Sequence, residues 1–342
     1  MLKIIFPEFA RTDAMLDLLG EPRLPRLDLV LARGKREAAA QTDMESLLCG
    51  EFDIPRQRDW PIAAISLSAA GGQAGEDFWL RADPVHLRIE RDRVILTEIP
   101  EPGPEAARLL CEALGAHFGE AFAPRPVRPD AWVVRIAEER GISTTPLSLA
   151  AGQHIDPLLP AGENAGEWRK LLNEVQMLLF SHPVNQAREA RGELAINSVW
   201  LWGGGRLPQV GQCARSLLCD QPDWRALAQH AGAKPDMLPK KWSPDVPGEA
   251  LVILDAPQRH LRRGDFESWL TAMRDFEQNW LVPLLAAGRS FDLVDPLQGM
   301  KLVWRSAYRW KFWRHAPRPT RQTFNLQPPA ADAGVDAFGN RY

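Results

Sequence analysis

Apolar runs bounded by proline, glycine and charged positions cut this chain into alternating short and long segments. Leu2-Lys3-Ile4-Ile5-Phe6, closed by Pro7, predicts a buried strand that opens the fold. Residues 13–20 predict a helix, capped by Thr12 or Asp13 and stopped by Gly20. The run 27–31 fits a strand or the start of a helix. Thr42 to Gly50 predicts a helix, with Thr42 as cap and Glu45 in the capping-box position. The run 61–67 predicts a strand. Residues 78–87 and 91–96 predict a hairpin, with Asp83 held extended by Pro84.

Residues 104–118 predict a helix with Ala107, Leu110, Cys111 and Leu114 on one face. A strand follows at 131–136. The stretch 163–180 predicts a strongly amphipathic helix, striped by Trp168, Leu171, Leu172, Val175, Leu178 and Leu179 and ended by His182-Pro183. Further on come a strand at 199–202, a helix at 223–231, a buried strand at 250–255, one long helix from Asp265 to Leu285, and a strand at 290–295. Strands and helices alternate without an internal repeat, which predicts an α/β or α+β layered fold.

The chain has 342 residues, enough for two domains or one large domain with an insertion. Hydrophobic content of 45% and charged content of 25% are those of a globular protein. A net charge of −3 excludes a generally basic nucleic-acid binder, so any anion site must be local. Cys49, Cys111, Cys213 and Cys219 show no metal-ligand spacing and are expected as reduced thiols. No apolar run approaches the ~18–20 residues of a membrane span, and the expected location is cytoplasmic. Gly71, Gly72 and Gly75 form a joint at which a domain boundary is expected.

The densest chemistry lies between Ser181 and Pro208. His182, Asn185, Arg188, Arg191, Asn197, Trp200 and Trp202 crowd this stretch, which closes on Gly203-Gly204-Gly205-Arg206. Such side chains are expensive to bury unpaired, so they pair with one another, with backbone or with a ligand. Three glycines let the backbone approach something closely. A second feature is the run 301–321, which has no acidic residue and seven Lys or Arg interleaved with Trp304, Tyr308, Trp310, Phe312 and Trp313. Cations among rings suit single-stranded nucleic acid or an acidic partner; they also cover apolar surface in ordinary folds.

The 181–208 stretch resembles the archaeal-type, cofactor-independent phosphoglycerate mutases. The resemblance is carried by His182-Pro183-Val184-Asn185, Arg188, Gly192, Ile196-Asn197, Trp202-Gly203-Gly204-Gly205 and Pro208. Arg81-Ala82-Asp83-Pro84 is a weaker echo of that family's inserted domain. The chain is also similar to a bacterial regulatory protein E family of the Rpf (regulation of pathogenicity factors) type, through residues 79–87, 174–179 and 197–205. The mutase resemblance implies an alkaline-phosphatase-like sheet core with helices on both faces and an inserted α+β domain. It places the core at 1–77 and 200–325 and the inserted domain at 78–199; residues 326–342 are expected to be a disordered tail.

It also implies two divalent metals (manganese, zinc or magnesium) and a Ser or Thr nucleophile, because metals neutralise the transferring phosphoryl group. Glu8 falls where the family has its first metal Asp, and Thr42 falls near the nucleophile. The later ligands depart from the pattern. In Asp255-Ala256-Pro257-Gln258-Arg259-His260-Leu261-Arg262, Gln258 stands for a metal Asp and Arg262 for a His. His260 comes two residues early, and Asp295 lacks the His that follows it in the family. Several substitutions at once predict that the metals are lost, with Glu8, Asp255, His260 and Asp295 as the set to hold them if any does.

The expectation is therefore a divergent mutase-like protein with no cofactor that binds a small anionic or phosphorylated ligand, or a protein partner, in a regulatory role. The ligand-facing residues would be Arg81, Asp83, His86, His182, Asn185, Arg188, Asn197 and Arg206. The competing expectations are an active metal-dependent mutase or phosphatase and, less favoured, a nucleic-acid adaptor acting through 301–321. No membrane role is expected.

Overall fold

A computed structural model describes residues 1–9, 23–41, 43–98, 100, 102–137, 141–262 and 264–311. Thr42, the helix expected at 13–20, the run beyond Lys311 and the tail at 326–342 lie outside the described residues. The strands are β1 (Leu2–Ile5), β2 (Lys35–Ala38), β3 (Phe78–Glu90), β4 (Arg93–Glu98), β5 (Arg125–Arg128) and β6 (Ala131–Ile136). They continue as β7 (Ser198–Gly205), β8 (Ser216–Leu218), β9 (Lys234–Asp236), β10 (Leu251–Ile253), β11 (Phe291–Asp295) and β12 (Met300–Trp304). The helices are α1 (Pro25–Arg33), α2 (Met44–Glu51), α3 (Ile62–Ala69), α4 (Pro104–Phe118), α5 (Leu147–Ala150) and α6 (Ala165–Phe180). After them come α7 (Pro183–Ala190), α8 (Pro222–His230), α9 (Ala256–Arg262), α10 (Phe266–Phe276) and α11 (Val282–Ala286).

The chain forms two compact units: residues 1–47, 215–220 and 236–342, and residues 48–214 with 221–235. The division does not follow the glycine joint at 71–75. Helix α3 lies before that joint, yet it packs on β3, β7 and α8, all of the second unit. Burying the apolar surface of α3 there ties residues 48–77 to the second unit.

The first unit is built on a seven-stranded sheet in the order β2-β12-β11-β1-β10-β8-β9. β11, β1, β10 and β8 are mutually parallel; β12 and β2 close one side antiparallel. This is the α/β class expected from the alternation of elements. Phe6 lies against Phe276 with ring centroids 4.2 Å apart, and Trp269, Phe291 and Trp304 are fully buried. The backbone N–H groups of Arg26 and Leu27, orphaned at the start of α1, donate to the Glu277 carboxylate at 2.8 and 3.0 Å. The ambiguous run 27–31 lies in a helix, not a strand, and Leu27, Val30 and Leu31 are its buried residues.

The helix expected unbroken from Asp265 to Leu285 is interrupted. Asp265 caps α10 as expected, its carboxylate accepting from Ser268 N–H at 3.0 Å. A π-helical turn spans Glu277–Leu281 before α11. Pro283 lacks an N–H and cannot bond the carbonyl four residues back, that of Asn279. Trp242 N–H donates to that carbonyl instead, at 2.9 Å.

The second unit holds a five-stranded sheet in the order β4-β3-β6-β5, with β7 also pairing β3. The thirteen-residue β3 is the shared strand: its first half pairs β6 and β7, its last five residues pair β4. The expected hairpin is present. The run 61–67, expected as a strand, is instead α3. An apolar run of this length does not reveal its own period, and its alanines favour helix. Gly203, Gly204 and Gly205 give α3 and Phe78 room: a Cβ would meet Ile62 at 3.1 Å, Phe78 at 2.8 Å and Pro61 at 2.7 Å respectively. His182-Pro183 ends α6 and also begins α7, with Pro183 in the first turn, where its missing N–H costs nothing.

Candidate functional site

In the first unit, the carboxyl ends of four adjacent parallel strands all lead to an acidic residue: Glu8 after β1, Asp255 after β10, Asp295 at the end of β11 and Asp220 after β8. Open α/β sheets place ligands along this edge. The sheet ladder carries on past the strands, with Phe6 N–H donating to Val294 O at 2.8 Å and Leu254 N–H to Ile5 O at 2.9 Å. Glu8 has a left-handed backbone, φ 58°, and its carbonyl accepts from the Trp269 indole at 3.4 Å. Asp295 is fully buried, and its Oδ1 accepts from Gln298 N–H at 3.1 Å. Asp220 accepts from Leu238 N–H at 3.0 Å. Sequence reading missed Asp220 because β8 is only three residues long; the apolar run Leu217-Leu218-Cys219 before it was the available signal.

Among the described residues no three His, Cys, Asp or Glu side chains come together in a way that could hold a metal. Asp255 forms an ion pair with Arg259, one helical turn on, at 3.6 Å. Gln258, in the place of a metal Asp, is buried, and its side-chain Nε2 has no hydrogen-bond partner. An amide oxygen can ligate a hard dication but brings no negative charge to neutralise it. His260 follows Gln258 by two positions on α9, about 200° around a helix.

In the second unit Arg81 and Asp83 sit at the centre of a buried ionic network. Arg81 Nε and Nη2 donate to the two Asp83 oxygens at 2.9 Å each. Arg81 Nη1 donates to Asp223 at 3.0 Å and to Ser66 Oγ at 3.1 Å. Arg128 grips Asp223 with two bonds of 2.9 Å, and Ser66 Oγ donates to it at 3.0 Å. Asp83 also accepts from Trp132 N–H at 3.0 Å and from the Trp202 indole at 2.7 Å. Arg81 and Arg128 balance Asp83 and Asp223, and Asp130 approaches Arg128 from a more exposed position at 3.3 Å. Burial alone would raise the Asp223 carboxyl, but the Arg81 and Arg128 guanidiniums hold it well below the usual carboxylate range. Burial raises Asp83 despite its pairing with Arg81. Asp223 and Arg128 escaped sequence reading because their partners lie 95 or more residues away.

The other expected ligand residues bond to backbone. Asn185 donates to Leu179 O and Ile196 O and accepts from Ile196 N–H, all at 2.8 Å. Asn197 accepts from and donates to the Leu87 backbone, and His86 Nδ1 lies 2.8 Å from Ala195 O. Arg188 donates from Nε to Leu194 O at 2.9 Å and pairs with Glu193 at 3.1 Å. His182 caps α7, accepting from Val184 N–H at 3.2 Å, and burial lowers its pKa. Arg206 donates to the Glu76 carbonyl and, from its backbone, to Gln57 Oε1 at 3.0 Å. Together His86, Asn185, Arg188 and Asn197 pin residues 193–197 against α6, α7 and β3. In the first unit, two cations of the basic run turn inward: Lys301 pairs with Asp292 and Glu37, and Arg305 with Asp292.

No protein-family model matches the chain. Its sequence is similar to the 2,3-bisphosphoglycerate-independent phosphoglycerate mutase of Methanosarcina barkeri, at 27% identity over 205 residues, 56% of this chain and 50% of that protein. It is also similar to a probable enzyme of the same name from Geobacter sulfurreducens, at 37% identity over 155 residues, 44% of this chain and 38% of that protein. The chain thus spans about half the length of the curated relatives it matches, or less. Among solved structures it is similar to a cofactor-independent phosphoglycerate mutase from Thermoplasma acidophilum, with a TM-score of 0.42 and 13% identity over 89% of this chain and 90% of that one. A protein from Pyrococcus horikoshii gives a TM-score of 0.47 and 12% identity over 88% and 86%. The chain is phosphoglycerate-mutase-like in sequence. None of these relatives carries the name of the regulatory protein E family. No helix among the described residues is long and apolar enough to cross a membrane.

Proposed function

We propose that this chain is a mutase-like protein that does not run two-metal phosphoryl transfer and acts by binding, in a regulatory role in the cytoplasm. The observation that carries the reading is Gln258: a buried neutral amide stands where the mutase-like pattern has a metal carboxylate. The ion pair between Asp255 and Arg259 adds a cation beside the nearest remaining acid. Because Arg81, Asn185, Arg188 and Arg206 all have partners within the protein, the reading favours a protein partner over a small anion gripped by those four. The regulatory role rests on the sequence resemblance to the Rpf-type family.

A second reading, a working metal-dependent mutase, draws on the four acids at the strand ends and on the names of the relatives. Elemental analysis after incubation with manganese, zinc and magnesium, beside an assay of 2- and 3-phosphoglycerate interconversion, separates the two. No retained metal and no turnover is the expected result. About two equivalents of metal with turnover would return the chain to the mutases.

A further inference from the structure

The first unit has a cavity of about 280 Å³ between α1, α11 and the turn that follows β12. It lies toward the amino end of the parallel strands: Gly288, in its lining, precedes β11, and Trp304, also in its lining, pairs with Phe291, the first residue of β11. Glu8, Asp255 and Asp295 follow the opposite ends of their strands, so the cavity is separate from the strand-end edge. Its apolar wall comes from Leu29, Val282, Leu285 and the buried Trp304. Arg26 and Arg309 line it too, and both residues are exposed, which puts them on the solvent side. Arg309 is held in place. Its carbonyl accepts from Arg33 Nη1 at 2.6 Å, and its guanidinium lies 5.2 Å from the centre of the Trp310 ring. Its Nη1 is 3.6 Å from the point where a Cβ on Gly288 would sit, which places the charged end of the side chain at the cavity. Residues 296–331 contain no Asp or Glu, so the chain on both sides of Arg309 brings cations and no carboxylate. Two guanidiniums on one cavity repel each other, and an oxyanion in it relieves that repulsion.

We propose that this cavity binds a small organic anion: a carboxylate or phosphate head on an apolar body the size of a single ring. The volume is at the small end of the range for ligand pockets, which limits the body. The body packs against Leu29, Leu285 and Trp304, and the head meets Arg26 and Arg309. A guanidinium's planar fork suits both heads. A cationic head would face two arginines, so the site discriminates by charge. This inference is independent of the metal question, since it uses none of the strand-end residues.

The test measures binding to the full chain by calorimetric titration. The anionic probes are 3-phenylpropionate and 2-phenylethyl phosphate; the neutral 3-phenylpropan-1-ol and the cationic 3-phenylpropylamine are the comparisons. The expected result is that an anion binds more tightly than the alcohol and the amine binds least; the tighter of the two anions identifies the head. Arg26→Gln and Arg309→Gln should each weaken the anion about tenfold, the low end for a hydrogen bond to a charged group, and leave the alcohol unchanged. The double variant should bring anion and alcohol to the same affinity. Ala286, an exposed residue of the lining, gives a variant that leaves both charges in place: Ala286→Phe fills the cavity and should remove binding of every probe. It keeps the test decisive if an arginine variant does not fold. No binding of either anion would overturn the proposal, as would equal affinity for the three kinds of head, or anion binding that survives Ala286→Phe.

Discussion

Asp223→Asn tests the buried network of the second unit. In the native protein Asp223 faces two guanidiniums, and Arg81 is 2% exposed. The substitution keeps the shape and removes one negative charge, leaving Arg81 with Asp83 and Arg128 with Asp130. Breaking a buried ion pair costs about 3–5 kcal/mol, because the remaining charge is stranded. The low end applies here: Arg81 keeps both bonds to Asp83, and Arg128 is 24% exposed and keeps Asp130 at 3.3 Å. A loss of about 3 kcal/mol lowers Tm by roughly 6–12 °C for a unit of this size. Urea denaturation followed by tryptophan fluorescence measures it. The pH dependence gives a second check. The folded-state pKa of Asp223 is depressed, so its contribution is complete above about pH 4 and fades as pH falls toward the folded value. Asp83 has the opposite sign: burial raises its pKa, so its ionised form weakens the fold and acidification relieves that. The deficit of Asp223→Asn should be constant from neutrality to mildly acidic pH and narrow below about pH 4. A deficit under about 1 kcal/mol, or one that does not narrow in acid, would refute the assignment of Asp223 as the charge that holds both arginines.

Three further outcomes follow from the geometry. Asn185→Ala strands Ile196 O and Ile196 N–H in a buried place, while Leu179 O keeps His182 N–H, and should cost about 2–3 kcal/mol, read by urea midpoint at unchanged slope. Glu277→Ala removes the acceptor for Arg26 and Leu27 N–H at the start of α1 and should cost about 1–2 kcal/mol, read the same way. Burial pushes the Cys111 thiol far above its ordinary pKa, and Cys49 and Cys219 are also buried, so a thiol reagent near pH 8 should modify Cys213 first in the native protein and all four only after unfolding.

Elements with a clear period or a boundary residue were legible in the sequence: α4 and α6 by their apolar stripes, β11 by its short buried run, the β3–β4 hairpin by its two extended segments and Pro84. A continuous apolar run does not by itself tell strand from helix: 2–6 and 250–255 are strands as read, while 61–67 is the helix α3. The polar density of 181–208 was visible, but its meaning was not. A side chain that bonds a backbone carbonyl eleven residues away, as Asn185 bonds Ile196, looks in sequence like one waiting for a ligand. Gly203 to Gly205 likewise signalled close approach, and the neighbour turned out to be the start of α3 and Phe78. Asp223 was invisible because it earns its place only through Arg81 and Arg128, far away in the chain.

The placement of β1 governs when the protein can fold. Lys3 pairs with Leu251 on one side and with Asp292 on the other. A ribosome therefore releases β1 long before it has made either neighbour, and β1 has no parallel partner until residue 251 has emerged. β3 waits in the same way for β7, with Ala82 opposite Leu201. Contacts so distant in sequence close slowly, and until they do two apolar strands expose unpaired edges. Nascent chains stalled before residue 198 should be the species that chaperones bind, while the finished chain should not.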